Sequence, residues 1–154
     1  MKKRIVLRPI GFVWNNVSGS RYQDWEDVIS DIVLSDELAP ALDGIEDFSH
    51  VWVIFHLAGV TREQRAIRRL HPRDRRDMPE VGVFATRSQY RPNPIGMTIV
   101  RLLERHGSRI RVAGLDAYNG TPVLDIKPYI PDRELADEAR VPRWVEKLQQ
   151  EATA

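Results

Sequence analysis

Short runs of β-branched and aliphatic residues alternate with polar turns along most of this chain. The strongest run, residues 50–57 (HVWVIFHL), is nearly all apolar, which is typical of a strand covered on both faces. The same pattern predicts further strands at residues 5–13, 28–34, 81–86, 95–103, 109–115 and 123–129. Such short strands, separated by Gly and Pro turns, predict a mainly β fold, either a barrel or a sandwich.

Helical patterns are few. Residues 142–151 predict a C-terminal helix, because Pro142 stands at its start and Trp144, Val145 and Leu148 share one face. Residues 36–42 predict one short helical turn. Residues 61–76 have no sustained apolar period, so they are expected to form a long exposed loop or a hairpin arm, and loops of that length tend to be functional.

Composition narrows the class of protein. The 154 residues are 42% hydrophobic, enough for one domain with a real core, and no apolar run reaches membrane-spanning length. There is no cysteine, which excludes disulfides, thiolate metal sites and a cysteine nucleophile. No export signal is visible, so a cytoplasmic location is expected, and no metal or membrane partner is predicted.

The net charge of +1 hides a strong asymmetry. Residues 22–61 contain no Lys or Arg but nine acidic side chains, whereas residues 62–76 carry seven arginines. Guanidinium groups suit bidentate contacts to phosphate. Two interpretations stay open: the two segments neutralise each other as solvated faces, or the arginines bind a polyanion, RNA before DNA.

Common cofactor fingerprints are missing, and the histidines are not spaced for a nucleophilic triad or a metal site. The loop at residues 84–96 (FATRSQYRPNPIG) is unusual instead, because its two prolines stiffen it. Its donors suit a carboxylate or phosphate, and a plain turn between strands is the alternative. The residues of interest there are Phe84, Arg87, Arg91 and Asn93.

A second segment, residues 113–129, combines a tight-turn signal with two candidate carboxylates. Gly114 permits the main chain to approach a ligand closely. Asp116 has no obvious local partner. Asp125 and Lys127 lie two residues apart on a predicted strand, which favours a structural ion pair.

Four ordered motifs together resemble the TrmO (TsaA-like) family of S-adenosylmethionine-dependent tRNA methyltransferases. They are RPIGFV, ALDGIEDFSHVWVIF, VGVFATRSxxRPNPIG and GLDxxxGTPVLDIKPYxP, and they run from about residue 7 to residue 131. The resemblance implies a compact β-barrel at residues 1–132 with a helical tail at 133–154. It also implies a homodimer that methylates N6 of threonylcarbamoyl-adenosine beside the tRNA anticodon.

The resemblance also implies which residues hold S-adenosylmethionine. The matching positions are Arg87, Met97, Ala113, Gly114, Leu115 and Asp116, with a looser match at Ala58 and Gly59 and a shifted one at Arg21 and Gln23. The chain departs from the family pattern at Gln89, where Pro is usual, at Asn119, where Asp is usual, and in its short tail.

The working hypothesis is therefore a methyltransferase in which Arg87 clamps the cofactor carboxylate and the main chain of residues 113–116 reads its adenine. Asp125 and Tyr129 are candidates for the group that removes the N6 proton. The expected contacts to tRNA phosphates are Arg68, Arg69, Arg73 and Arg76, with Tyr90, Trp14 or Trp25 available to stack a base. The alternative is a non-catalytic barrel that binds RNA or S-adenosylmethionine.

Overall fold

The computed structural model describes residues 3–19 and 24–153. The strands are β1 Gly11–Trp14, β2 Ile29–Leu34, β3 His50–His56, β4 Arg69–Leu70, β5 Val81–Gly82, β6 Ile95–His106, β7 Arg109–Ala113 and β8 Pro122–Pro128. The α-helices are α1 Arg62–Arg65, α2 Pro131–Glu134 and α3 Arg143–Thr153. Single 3₁₀ segments lie at Trp25–Asp27, Asp36–Leu42, Ile45–Asp47, Pro72–Asp74 and Val83–Ala85.

These elements form two compact units. The first contains the described residues up to Gly59 together with Pro94–Tyr129, and the second contains Val60–Asn93 and the described residues from Ile130 onward. Each unit has buried apolar side chains of its own.

The first unit is a closed antiparallel barrel with the strand order β1-β2-β7-β6-β3-β8. Strand β1 closes it, since Gly11 and Phe12 pair with β2 on one side and with Val123 and Pro122 of β8 on the other. This confirms the expected mainly β barrel and decides against the sandwich.

Period-two alternation fills the barrel. In β3 the inward residues Val51, Val53 and Phe55 are buried, whereas the residues between them are only half-buried. Each of the remaining barrel strands also contributes core side chains, which include Val13, Ile32, Val100, Ile110, Val112 and Val123.

Two of the predicted strands differ from the observed structure. The N-terminal strand begins at Gly11 rather than at residue 5, and Ile5, Val6 and Leu7 are exposed. Pro9 lacks an amide hydrogen for a ladder, and branched side chains form a strand only where a partner strand is present. The predicted strand at 81–86 is strand for two residues only, because the Thr86 amide and hydroxyl both donate to the Val83 carbonyl and close a turn.

In the second unit the segment 61–76 is a hairpin arm rather than a loop. A capping box between Thr61 and Gln64 starts α1, and β4 pairs antiparallel with β5. The arm is not wholly exposed, since Pro72 is buried and Ile67, Leu70 and Arg75 are half-buried.

The C-terminal helix forms as predicted, and its apolar face is covered within the chain. Leu148 is buried, and Trp144 and Val145 are half-buried. On its polar side, Glu151 pairs with Arg75 and Lys147 pairs with Asp77. Hydrogen bonds from Arg75 and Lys147 hold the pKa of the Asp77 carboxyl below its usual range.

None of the helices in the described part of the chain combines the length and the apolar character that crossing a membrane requires.

We expect Gly11→Ala to destabilise the protein by about 1 to 3 kcal/mol or more, the range for overpacking. An added Cβ would lie 2.3 Å from the Val33 carbonyl oxygen, which is main chain and cannot move aside. Urea unfolding measures the change. Gly82→Ala is the matched control, because its Cβ would meet nothing nearer than 4.0 Å. Equal stability of both variants would contradict this account of barrel closure.

Candidate functional site

Asp116 and Thr98 form a polar pair in the first unit. Thr98 lies opposite Val53 on the inward face of β6, and its hydroxyl donates a hydrogen bond to the exposed Asp116 carboxylate. The pairing of β6 and β7 brings these two residues together. Sequence analysis missed Thr98, although alternation along β6 places its hydroxyl on the same face as buried Val100.

The main chain between β7 and Asp116 makes a left-handed turn at Gly114. Gly114 has a left-handed φ of 89°, and its amide donates to the Val28 carbonyl at 3.0 Å. The Leu115 side chain is fully buried, and so is nearly all of Ala113. No backbone hydrogen bond within the described residues engages the amides of Leu115 or Asp116. What this segment offers a ligand is therefore its main chain and the Asp116 carboxylate.

Ala58 and Gly59 follow β3, and Met97 lies near the start of the neighbouring strand β6. The Leu57 amide donates to the Pro94 carbonyl, and Ile54 pairs with Met97. Ala58 and Gly59 are exposed, and Met97 is half-exposed on the outward face of β6. The neighbouring Gly96 has to be glycine, because an added Cβ would lie 2.5 Å from the Phe55 ring.

The two candidate proton acceptors lie on β8 and directly after it. Asp125 forms the expected ion pair with Lys127 at 2.7 Å, and its other carboxylate oxygen accepts from the Ile126 amide. The Asp125 carboxylate raises the pKa of the Lys127 ammonium. Tyr129 packs edge-on against His50 and Trp52, with ring centroids 6.4 Å apart in both pairs.

In the second unit a series of hydrogen bonds stiffens the loop that contains Arg87. The Ser88 amide donates to the Thr86 hydroxyl, and the Tyr90 amide donates to the Ser88 hydroxyl. Arg91 also belongs to this framework, since its guanidinium donates to the Thr86 and Ser88 carbonyls at 3.3 and 3.1 Å. Arg91 therefore braces the loop.

Arg87 is the unengaged cation of the same loop. Its side chain is exposed, and within the described residues it forms no hydrogen bond or ion pair. Phe84 is 76% exposed and Asn93 is exposed. A preformed loop with a free guanidinium suits capture of an anion at low ordering cost.

The arginines of the arm fall into two groups. Arg69 binds Glu80, and Arg75 binds Asp77 and Glu151, whereas Arg65 and Arg68 donate to main-chain carbonyls. Arg62, Arg73 and Arg76 are exposed and form no such contacts with other described residues. Arg73 also has a left-handed φ of 55°, which is rare for a residue with a side chain.

The acidic stretch of the chain pairs with arginines of the barrel. Asp43 and Glu46 bind Arg105, and Asp31 binds Arg111. The acidic residues with these ion pairs are neutralised by barrel arginines rather than by those of residues 62–76, and binding of a polyanion by residues 62–76 stays a prediction.

The histidines and the remaining candidate residues add no further feature to the site. His50 shares a hydrogen bond with the Ser49 hydroxyl. Within residues 3–19 and 24–153, no three His, Asp or Glu side chains are grouped so that they could hold a metal ion. Arg21 and Gln23 lie outside the described residues.

A family model of the tRNA-methyltransferase O N-terminal domain matches residues 20–135, about three quarters of the chain. The chain belongs to the tRNA-methyltransferase O family. This confirms the resemblance seen in the sequence motifs.

Relatives and solved structures agree with this assignment. A probable S-adenosyl-L-methionine-binding protein of Pyrococcus abyssi is 36% identical over 151 residues, which cover 93% of this chain and 77% of that protein. A mouse tRNA (adenine(37)-N6)-methyltransferase is 40% identical over 114 residues, which cover 73% of this chain and 26% of that protein. The crystal structure of TrmO from Pseudomonas aeruginosa superposes with a TM-score of 0.71 at 30% identity, over 90% of this chain and 62% of that one. The chain thus matches less than two thirds of the solved enzyme.

Proposed function

We propose that this protein transfers a methyl group from S-adenosylmethionine to N6 of an adenosine beside the anticodon of tRNA, with threonylcarbamoyl-adenosine as its substrate. The enzyme is an S-adenosylmethionine-dependent methyltransferase of the tRNA-methyltransferase O family, and that membership carries the proposal. The name of the mouse relative supports N6 of adenine 37 as the position modified. We also propose a cytoplasmic location, because tRNA is the substrate.

Two features of the first unit and, separately, one of the second suit parts of the cofactor. The free main chain at Leu115 and Asp116 has the donors and acceptors that an adenine edge needs. The Asp116 carboxylate, held by Thr98, suits a ribose hydroxyl or the amino group. The unengaged guanidinium of Arg87 suits the carboxylate.

When bound, S-adenosylmethionine supplies a methyl group on a positively charged sulfur. Transfer of that methyl group to the adenosine N6 would leave the electron pair of the carbon–sulfur bond on sulfur and would require N6 to give up a proton, which a residue of this chain would accept. The chain's own task is to hold the nucleophile in line, which lowers the barrier by positioning. Of the two candidates that would accept the proton, Asp125 first has to leave Lys127.

The activity is tested by incubating the protein with methyl-labelled S-adenosylmethionine and tRNA, followed by mass spectrometry of the nucleosides. Two tRNA samples are compared, one carrying threonylcarbamoyl-adenosine and one unmodified. If the label is found at N6 of the modified base and not in the unmodified tRNA, the full proposal is supported. Binding of the cofactor without any transfer would instead indicate a non-catalytic binding module.

Arg87→Ala is expected to weaken S-adenosylmethionine binding by about 1.5 to 3 kcal/mol, the cost of removing a charge-assisted hydrogen bond. Arg87→Lys is expected to be impaired as well, because an ammonium cannot form the same bidentate interaction. Calorimetry measures both. Arg101→Ala, which removes an exposed arginine on β6, is the control. Unchanged affinity in Arg87→Ala would remove Arg87 from the site.

Charge reversal at Arg68, Arg69, Arg73 and Arg76 is expected to weaken tRNA binding and leave cofactor affinity intact. The larger share is expected from Arg73 and Arg76, because Arg69 is already neutralised by Glu80. Removing one arginine that binds a phosphate lowers the salt slope by about 1. Filter binding between about 50 and 200 mM salt measures this, and an affinity that stays flat over this range would refute the prediction.

The active form is proposed to be a homodimer. The tail helix does not supply the reason, because its apolar face is covered within the chain. The reason lies in the outward face of β6, where three neighbouring apolar side chains, Ile95, Met97 and Ile99, are 38 to 49% exposed. Ile99→Lys is expected to convert dimers to single chains and to abolish transfer. Light scattering of the wild-type protein that gives the mass of one chain, together with full activity, would refute this.

A further inference from the structure

The barrel has a cavity on the outward face of β1, β2 and β7 that the proposed chemistry does not use. It has a volume of about 390 Å³ and is lined by Trp14, Asn15, Asn16, Ile29, Asp31 and Arg111. Strand register produces it, because Trp14 pairs with Asp31 and Asp31 pairs with Arg111, so that the three side chains form one row across three strands. The cavity is shallow and open to solvent.

Trp14 is the most exposed tryptophan of the described residues, at 60%. Its indole makes no ring contact with another described residue, whereas Trp25 packs against Tyr118 with centroids 5.4 Å apart. The main chain next to Trp14 is fixed. The Asn15 side-chain amide donates to the Ser30 hydroxyl and the Ala117 carbonyl, both at 2.9 Å, and the Asn15 backbone amide donates to Asn119. A large aromatic ring is thus held in solvent by a rigid support.

All three guanidinium nitrogens of Arg111 are engaged in ion pairs. Its Nε and one terminal nitrogen donate to the two oxygens of Asp31 at 2.8 and 3.1 Å, and its other terminal nitrogen pairs with Glu104 at 3.0 Å. These bonds lower the pKa of the Asp31 carboxyl, which therefore stays ionised. A guanidinium whose nitrogens are all engaged is a poor phosphate ligand but still stacks on a planar ring.

The polar groups around the two planar surfaces suit the edge of a base. The exposed Asn16 side chain makes no hydrogen bond to any described residue, so its amide is free to donate and accept. Arg109 lies beside the row and is only loosely bound, at 3.6 Å from Asp31. It is the cation available to a neighbouring phosphate.

We propose that this cavity binds one unpaired nucleobase of an RNA loop, stacked on Trp14, at a site separate from the base that is methylated. The inference rests on the proposed action on tRNA. Stacking on an aromatic side chain contributes about 1 to 3 kcal/mol for each base, whatever its identity. The cavity therefore adds affinity for single-stranded loops without reading sequence through the ring itself.

The test is titration of the full chain with a synthetic tRNA anticodon stem-loop and with a fully paired RNA duplex. Trp14→Ala is expected to weaken stem-loop binding about 5- to 150-fold and to leave duplex binding unchanged. Trp14→Tyr is expected to keep most of the affinity. Phe12→Ala is the matched control, because Phe12 is an exposed aromatic residue on the outward face of the same strand but does not line the cavity. The salt slope is expected to stay the same in Trp14→Ala, because the indole carries no charge to neutralise a phosphate.

Three outcomes would overturn the inference: equal stem-loop affinity of Trp14→Ala and wild type, loss of affinity in Trp14→Ala and Phe12→Ala alike, or a change of mass in Trp14→Ala by light scattering. The last would mean that a second copy of the chain covers the cavity. Failure of the proposed function gives a different result, since the wild-type protein would then transfer no methyl group to tRNA, whereas failure of this inference leaves that transfer intact. Cofactor affinity, measured by calorimetry, is expected to be the same in all these variants.

Discussion

The barrel depends on the close approach of main chains at Gly11. Strand β1 has only four residues, yet it joins β2 and β8 and so removes both free edges of the sheet. Gly11 pairs with residues of both neighbours, and the Val33 carbonyl occupies the space where a Cβ would be. Without this close approach the sheet would have two unpaired edges and no enclosed core.

Closure also determines which positions are available for chemistry. The inward residues fill the core. Thr98, an inward residue near the start of β6, holds Asp116 next to the left-handed turn at Gly114. The outward residues form rows across strands, such as the row of Trp14, Asp31 and Arg111. Separate binding surfaces thus arise from one pattern of alternation.

The charge distribution has two physical roles in this protein. Arg105, Arg109 and Arg111 pair with the acidic stretch and join elements of the barrel. In the arm, Arg69 and Arg75 are used in local ion pairs, so the cations left for a polyanion are fewer than the sequence suggests. Net charge and arginine density alone therefore overstate the basic surface, because a paired guanidinium contributes little to it.

The sequence by itself determined the fold class, most of the strands and the family. The alternation of buried and exposed side chains in β3, β6 and β7 follows from the local sequence. The motifs VGVFATRSxxRPNPIG and GLDxxxGTPVLDIKPYxP are long enough to identify relatives. The Asp125–Lys127 pair was also predictable, because residues two apart on a strand share a face.

Only the tertiary structure decided the start of β1, since the exposed residues 5–7 have the composition of a strand but no strand beside them. It also decided that Arg91 braces its loop while Arg87 has no partner among the described residues, that Thr98 holds Asp116, and that Trp14 and Arg111 line one cavity. Each of these depends on the partners that folding brings near a side chain, and residues far apart in the chain carry no local signal of that.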